Sequence, residues 1–200
     1  MKSLLALALT CCAFSPVSVR AQQVDLFLGA GTARASSNAQ STETFSDGTP
    51  YDTPAMGGVF TNFGASVFLG RQLGIGWTAA WRAGHDYAGL QYHPAFHTFD
   101  AIFQPARLHT KTFAPEFRAG IGLASIHFDY DDPQSCGQVP GCPSSHYFLQ
   151  HWGFAARFYA TDHIFLRPSL DIQHVDNFSL FGTNWVPRYS LSVGYSFGRR

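Results

Sequence analysis

The chain has 200 residues and balances 13 lysines and arginines with 13 aspartates and glutamates, which excludes the basic character of a nucleic-acid-binding domain. Charged residues make up 13% of the sequence and aromatic residues 16%, whereas soluble domains carry about 25% charged residues. The mean hydropathy of −0.04 excludes a bundle of membrane-spanning helices. A chain of this length is expected to form one domain.

The first 21 residues are predicted to be a secretory signal peptide that is cleaved. Lys2 supplies the positive start, residues 4–14 form a short apolar run, and residues 19–21 resemble a small-residue cleavage site. The apolar run is too short for a membrane anchor, which needs about 20 residues. We therefore expect an exported protein whose mature domain spans residues 22–200.

Eight segments of the mature chain alternate between apolar residues and small or polar residues, which is the pattern of β-strands with one apolar face. In chain order they span about 24–32, 58–69, 75–85, 96–104, 113–127, 148–158, 164–174 and 186–197. Strands of about 9–11 residues are long enough to cross a bilayer at a tilt. In the last strand, outward aromatic and aliphatic residues alternate with serines and Gly194.

The connections between these segments alternate strictly between short and long. Short connections lie around 71–72, 105–112 and 160–163, whereas the long ones span about 33–57, 86–95, 128–147 and 175–186. Bacterial outer-membrane barrels have this arrangement, with short periplasmic turns and long outer loops. The sequence therefore predicts an all-β fold: an eight-stranded antiparallel up-and-down transmembrane β-barrel with both termini in the periplasm.

The strand phases place nine charged residues on the side opposite the large apolar residues, and therefore in the lumen. They are Asp25, Arg82, Asp100, Glu116, Arg118, Arg157, Arg167, Asp171 and Arg188. Because an eight-stranded barrel is just wide enough for side chains to fill it, we expect an arginine–carboxylate network that plugs the lumen. Arginine suits such a network because its planar guanidinium binds carboxylates through two hydrogen bonds. The alternative is a path for protons or ions.

Cys136 and Cys142 flank a Pro- and Gly-containing segment in the third long loop. An exported chain meets oxidising conditions, so we predict a disulfide between them. A metal site that includes His146 is the alternative, but two cysteines and one histidine make an incomplete ligand set.

Histidines recur near the outer loops, at His85, His93, His97, His127, His146 and His174. We interpret them as polar residues of the outer rim, and a metal site formed by their clustering is the alternative. No metal and no cofactor is predicted.

One segment has a resemblance to an enzyme family. His174-Val175-Asp176-Asn177 is similar to the His-x-Ser-Asn stretch of outer-membrane lipid A deacylases, in which the serine is the nucleophile and the histidine its base. Here Asp176 takes the place of the serine, and Ser179 is out of register. We therefore predict no catalytic residues, with a lipid-modifying enzyme as the alternative.

The whole mature chain resembles the outer-membrane β-barrel family typified by the transmembrane domain of outer membrane protein A. The resemblance lies in residues 24–29, residues 115–122 and the ending Tyr195-Ser196-Phe197. It implies that the barrel assembly machinery recognises the last strand, with Tyr195 and Phe197 as the signal. Barrels of this family commonly end on the aromatic residue itself, whereas Gly198-Arg199-Arg200 follows here.

These observations lead to one expectation and two alternatives. We expect a monomer in the bacterial outer membrane that contacts outer-membrane lipids and the assembly machinery, and an unknown extracellular ligand at its loops. Its role is expected to be structural or surface interaction, without enzymatic activity. The alternatives are the lipid-modifying enzyme and a soluble ligand-binding barrel, in which the apolar side would face inward.

Overall fold

The computed structural model describes residues 23–35, 41–42, 51–52, 56–87, 90–130, 144–177 and 183–198. Eight strands form the wall: β1 Gln23–Ala33, β2 Phe60–Phe68, β3 Leu73–Arg82, β4 Leu90–Phe103, β5 Phe113–Tyr130, β6 Ser144–Tyr159, β7 Ile164–Val175 and β8 Trp185–Gly198. A 3₁₀ helix covers Ala106–Leu108, and the short strands Ser41–Thr42 and Tyr51–Asp52 pair with each other. Within the described ranges, no helix has the length and apolar character needed to cross a membrane.

Each wall strand pairs antiparallel with its neighbours in the chain, and the first strand closes the ring with the last. Gln23 of β1 lies opposite Gly198 of β8 on one side and opposite Phe68 of β2 on the other. The wall is therefore a closed, eight-stranded, up-and-down antiparallel barrel. This confirms the fold predicted from the alternating segments. Closure suits a membrane protein because it satisfies the backbone hydrogen bonds of every strand.

The three short connections, the start of β1 and the end of β8 lie at one end of the barrel, which we call the turn end. Two threonines shape these turns: Thr110 Oγ1 accepts a hydrogen bond from the Phe113 amide at 3.0 Å, and Thr161 Oγ1 accepts one from the Ile164 amide at 2.9 Å. A hydroxyl that binds the backbone a few residues further on stabilises a tight reversal. We call the opposite end the loop end.

The wall is taller at the loop end along β4, β5 and β6 than elsewhere. β4 begins at Leu90, and His85–Tyr87 pairs with its first residues, so strand structure covers most of the predicted loop from Asp86 to Ala95. β5 and β6 likewise extend into the predicted loop from Phe128 to Tyr147. The loop prediction was wrong there because the outward positions of these strand extensions are polar. The sequence therefore loses its alternation between apolar and polar residues, although the backbone pairing continues. These positions include Gln91, His93, Ser125, His127 and His146.

Below these strand extensions, the outer surface of the barrel is an apolar band. Leu28, Ile121 and Val193 are each more than half exposed, as are aromatic residues such as Phe99. Ring pairs cover parts of the band, including Phe113 with Phe158 and Phe117 with Phe154. A continuous exposed apolar surface of this extent is stable in lipid and not in water. The arrangement is the reverse of the one that the soluble-barrel alternative requires.

The loop end of the lumen is filled by buried apolar side chains to which every wall strand contributes. We call this set the loop-end apolar layer; it consists of Ala33, Met56, Phe60, Ala80, Tyr92, Phe96, Ala124, Ile126, Leu149, Val175 and Val186. Each of these residues is at most 1% exposed. The layer separates the charged part of the lumen from the loops.

Candidate functional site

The middle of the lumen holds a compact group of charged side chains, which we call the central cluster: Asp100, Arg118, His151, Asp171 and Arg188. Arg118 binds Asp171, and its Nη1 lies 3.8 Å from Asp100 Oδ2. Arg188 Nη2 lies 3.3 Å from Asp171 Oδ2. All five residues are at most 4% exposed. Two carboxylates therefore face two guanidinium groups, the pairing that makes buried charge tolerable.

A second group lies toward the turn end and consists of Asp25, Glu116, Arg157 and Arg167, which we call the turn-end cluster. Arg157 binds Asp25, and its Nη2 lies 2.9 Å from Glu116 Oε2. Arg167 Nε donates to Glu116 Oε1 at 2.6 Å. This cluster again contains two acids and two arginines. Serine and glutamine side chains complete the hydrogen bonds of Asp25, with Ser196 Oγ at 2.5 Å and Gln23 Nε2 at 2.9 Å.

Aromatic rings pack against the arginines of the turn-end cluster. The guanidinium carbon of Arg157 lies 4.7 Å from the ring centroid of Phe68, and that of Arg167 lies 4.3 Å from that of Phe27. A guanidinium stacked on a ring at this distance gains about 1–2 kcal/mol when it is desolvated. The rings thus fill the space around the ion pairs without introducing further polar groups.

Glycines on two neighbouring strands make room for the central cluster. A Cβ atom at Gly153 would lie 2.7 Å from Asp171 Oδ1 and 3.2 Å from Arg118 Nε, and one at Gly120 would collide with Asp100. Since real Cβ atoms do not approach carboxylate oxygens so closely, a larger residue at either position would force the charged groups to shift. The inward glycines of β5 and β6 are therefore part of the site.

The structure places all nine charged residues of the predicted network in the lumen, and it brings eight of them into the two clusters. Arg82 lies apart, in the loop-end apolar layer. Its Nη1 donates a hydrogen bond to the Gly57 carbonyl, and its guanidinium carbon lies 4.7 Å from the Tyr92 ring centroid. Arg82 thus holds the segment before β2, whose Met56 side chain is buried in the same layer.

His151 is a member of the central cluster that was not predicted. Its Nδ1 lies 2.5 Å from Asp100 Oδ1, and its Nε2 lies 3.2 Å from Asp171 Oδ1. The residue is 1% exposed, so it bridges the two acids inside the lumen. The signal that identifies it is its inward phase on β6, which it shares with Gly153 and Arg157.

Several buried polar atoms of the lumen have no hydrogen-bond partner among the described residues, and two of them belong to the side-chain amide of Gln173. Gln173 is fully buried next to His151 in the β6–β7 register. Neither its amide nitrogen nor its amide oxygen has a hydrogen-bond partner among the described residues. A buried amide without partners costs about 1–3 kcal/mol. Gln173 is therefore an inward position whose whole amide group is poorly matched to its surroundings.

Other predicted sites have different outcomes. Cys136 and Cys142 lie outside the described residues, so the disulfide stays a prediction, as does the signal peptide. No group of three or more histidine, cysteine or acidic side chains suited to a metal ion occurs among the described residues. Tyr195 and Phe197 both point outward near the turn end, with ring centroids 4.7 Å apart, and their role in assembly stays a prediction.

The His174 segment lies on the outside of the barrel at the loop end. His174 Nδ1 lies 3.3 Å from Asp176 Oδ1, and the imidazole meets the Trp185 ring edge-on at 4.8 Å between centroids. Asp176, which stands where the deacylase pattern has its serine, is thus the partner of the histidine. Ser179 lies outside the described residues.

In the sequence, the long and the short connections between the strands differ in the sign of their charge. The long connections contain one arginine, Arg34, and eight acids. The acids are Glu43, Asp47, Asp52, Asp86, Asp129, Asp131, Asp132 and Asp176. The turns carry Arg71, Arg107 and Lys111 against one acid, Asp162, and Arg199 and Arg200 follow β8. Such a difference in charge affects which charged groups each set of connections attracts.

The closed wall, the apolar outer band and the charged lumen define a membrane-spanning β-barrel of the bacterial outer-membrane class. Solved structures of this class match the fold. Neisserial surface protein A matches with a TM-score of 0.57 and 13% sequence identity, covering 86% of this chain and 95% of that one. Ail, the attachment invasion locus protein of Yersinia pestis, matches with a TM-score of 0.55 and 13% identity, covering 88% and 98%.

A third match is a domain of a larger protein. The N-terminal β-barrel domain of Pseudomonas aeruginosa OprF has a TM-score of 0.55 and 16% identity, covering 88% of this chain and 98% of that one. At these identities the likeness concerns the fold. No family model matches the sequence, and no curated protein matches it.

Proposed function

We propose that residues 22–200 form a non-enzymatic outer-membrane barrel that acts through contacts of its loop end with an extracellular partner. The observation that carries the proposal is the filled lumen. Two balanced charge clusters occupy its middle and its turn end, and the loop-end apolar layer lies above them. Since the lumen is occupied by side chains, we infer that contacts with an extracellular partner are made by the loop end.

The charge of the loop end indicates the chemistry of the partner. Eight acids and one arginine lie in the sequence beyond the lumen at this end. Surfaces of one sign attract partners of the opposite sign and repel those of the same sign. We therefore expect a cationic partner, such as a basic peptide or a basic patch of a protein.

This expectation distinguishes the chain from one of its structural neighbours. The Ail structure contains sucrose octasulfate, a heparin analogue, which is a polyanion. A surface with an excess of acids repels such a ligand. The shared fold therefore leads to a different expectation for the ligand of this chain.

Binding to charged polymers tests the proposal. The barrel, reconstituted in phosphatidylcholine nanodiscs, is presented to polylysine and to heparin at low and at high salt. We expect salt-sensitive binding of polylysine that is weakened in an Asp131→Asn/Asp132→Asn variant. An Asp162→Asn variant makes a similar change at the turn end and should bind like the wild type. Preferential binding of heparin, or equal loss in both variants, would overturn the proposal.

The absence of catalysis is a separate part of the proposal and has its own test. Lipid A extracted from cells with and without the protein is compared by mass spectrometry. We expect identical spectra, because Asp176 stands in the nucleophile position beside His174. Loss of an acyl chain that depends on His174 would establish the enzyme instead.

A further inference from the structure

The turn end contains a cavity of about 630 Å³ that lies between all three turns. One turn contributes Arg71, the second contributes four residues, and the third contributes an acid. The lining residues are Arg71, Ala106, His109, Thr110, Lys111 and Asp162. Cationic side chains from two different turns therefore meet at one concave surface.

Backbone hydrogen bonds hold the three turns together. The Gln104 amide donates to the Gln72 carbonyl at 2.7 Å, which joins the first turn to the second. The Tyr159 amide donates to the Thr112 carbonyl at 2.8 Å, which joins the second turn to the strand before the third. The second turn is further stiffened by its 3₁₀ helix, in which the Leu108 amide donates to the Pro105 carbonyl at 3.1 Å. The cavity is thus a preformed site, and a preformed site loses less entropy on binding.

The cavity lies at the depth where the apolar band ends. Leu69 and Leu73 flank Arg71 in the chain and are 50% and 62% exposed, and Leu108 of the second turn is 55% exposed. Exposed leucines beside cationic residues are typical of the level at which lipid tails meet headgroups. A ligand in this cavity therefore has access to both the water and the edge of the bilayer.

We propose that this cavity binds the phosphate of an anionic phospholipid headgroup in the leaflet next to the turn end. Arg71 and Lys111 supply charge-assisted hydrogen bonds to the phosphate oxygens, and the Thr110 and His109 side chains line the same wall. With Asp162 included, the two cations leave a single positive charge, which matches the single negative charge of a phosphodiester. The site would fix the height and tilt of the barrel in the membrane.

The test compares cations that line the cavity with a nearby cation that does not. Arg71→Gln/Lys111→Gln removes both cations of the site. Arg107→Gln removes a cation from the same turn that does not line the cavity. Heat-modifiable mobility on gels verifies that each variant is folded before lipid binding is compared.

Native mass spectrometry counts the lipids retained from nanodiscs of phosphatidylcholine with a minority of phosphatidylglycerol. The wild type should retain phosphatidylglycerol in preference to phosphatidylcholine. The Arg71/Lys111 variant should lose about tenfold in this preference, the effect of about one charge-assisted bond, whereas Arg107→Gln should keep it. Equal loss in both variants, or no preference in the wild type, would overturn the proposal. Displacement of the lipid by inorganic phosphate would instead identify a site for soluble phosphate, which also overturns it.

Discussion

The lumen of this barrel is filled in two different ways along its length. The central cluster depends on contacts between charged partners. Its residue Asp171, for example, contacts Arg118, His151 and Arg188. The loop-end apolar layer depends on volume, because it consists of buried hydrophobic side chains that pack together. The same wall holds both regions, so the comparison separates the cost of losing a partner from the cost of losing volume.

The difference lies in how each region responds to substitution. Removing one member of a charge cluster leaves the others buried without their counter-charge, and that cost exceeds what the pair contributed. Removing volume from an apolar layer leaves a cavity whose cost grows with its size. A cluster can therefore be repaired by a second substitution that restores charge balance, whereas a cavity can be repaired only by restoring volume.

The largest effect is expected for Asp171→Leu, which leaves two arginines and His151 facing a single acid. We expect unfolding to become easier by about 4 kcal/mol, measured by urea unfolding in phospholipid vesicles. The Asp171→Leu/Arg188→Met double variant removes one charge of each sign and should recover much of this loss. A double variant less stable than the single one would contradict the account of the central cluster.

A smaller loss is expected when Leu149 of the loop-end apolar layer is truncated. Leu149→Ala should cost about 3 kcal/mol in the same unfolding measurement, because the side chain is fully buried. Leu191→Ala is the control, since Leu191 faces outward and is 52% exposed. Similar losses for both variants would show that burial in the lumen does not set the cost.

Crowding at the central cluster should cost less again. Gly153→Ala places a methyl group against Asp171 and Arg118 and should destabilise the barrel by about 2 kcal/mol. Gly70→Ala is the matched control, because a Cβ atom there meets nothing within 4 Å. A Gly153→Ala variant as stable as the control would show that the charges do not need the close approach of β6.

The smallest effect is expected at Gln173, whose amide group lacks partners among the described residues. Gln173→Met keeps the approximate volume and removes the unsatisfied group, so stability should stay the same or rise by about 1 kcal/mol. Unfolding in vesicles measures the change. A loss as large as that of Leu149→Ala would indicate that Gln173 has a partner in the folded protein, such as a bound water molecule.

The fold could be predicted because two-residue periodicity survives in every strand that faces lipid. The phase of that periodicity also assigned Asp25, Glu116 and Arg157 to the lumen. It failed along the start of β4, where Gln91 and His93 occupy outward positions and the alternation disappears. The two-residue pattern appears only where the outer face contacts lipid and the inner face is polar. The sequence of a strand with polar residues on its outer face therefore resembles that of a loop.

The partners within the lumen could not be predicted in the same way. Phase assigns a residue to a face, but the stagger between strands decides which residues meet at one height. That stagger brings His151 between Asp100 and Asp171 and places Arg82 in the loop-end apolar layer. Both outcomes depend on the register of four different strands, which no local pattern in the sequence specifies.

The central claim is that the lumen is filled and that function lies at the ends of the barrel. Conductance of the folded, heat-modifiable protein in planar bilayers tests this claim most directly. The account predicts no steady, resolved current steps across the voltage range that the bilayer tolerates. Reproducible open channels would contradict it, because they require a continuous water-filled path through the charge clusters and the loop-end apolar layer.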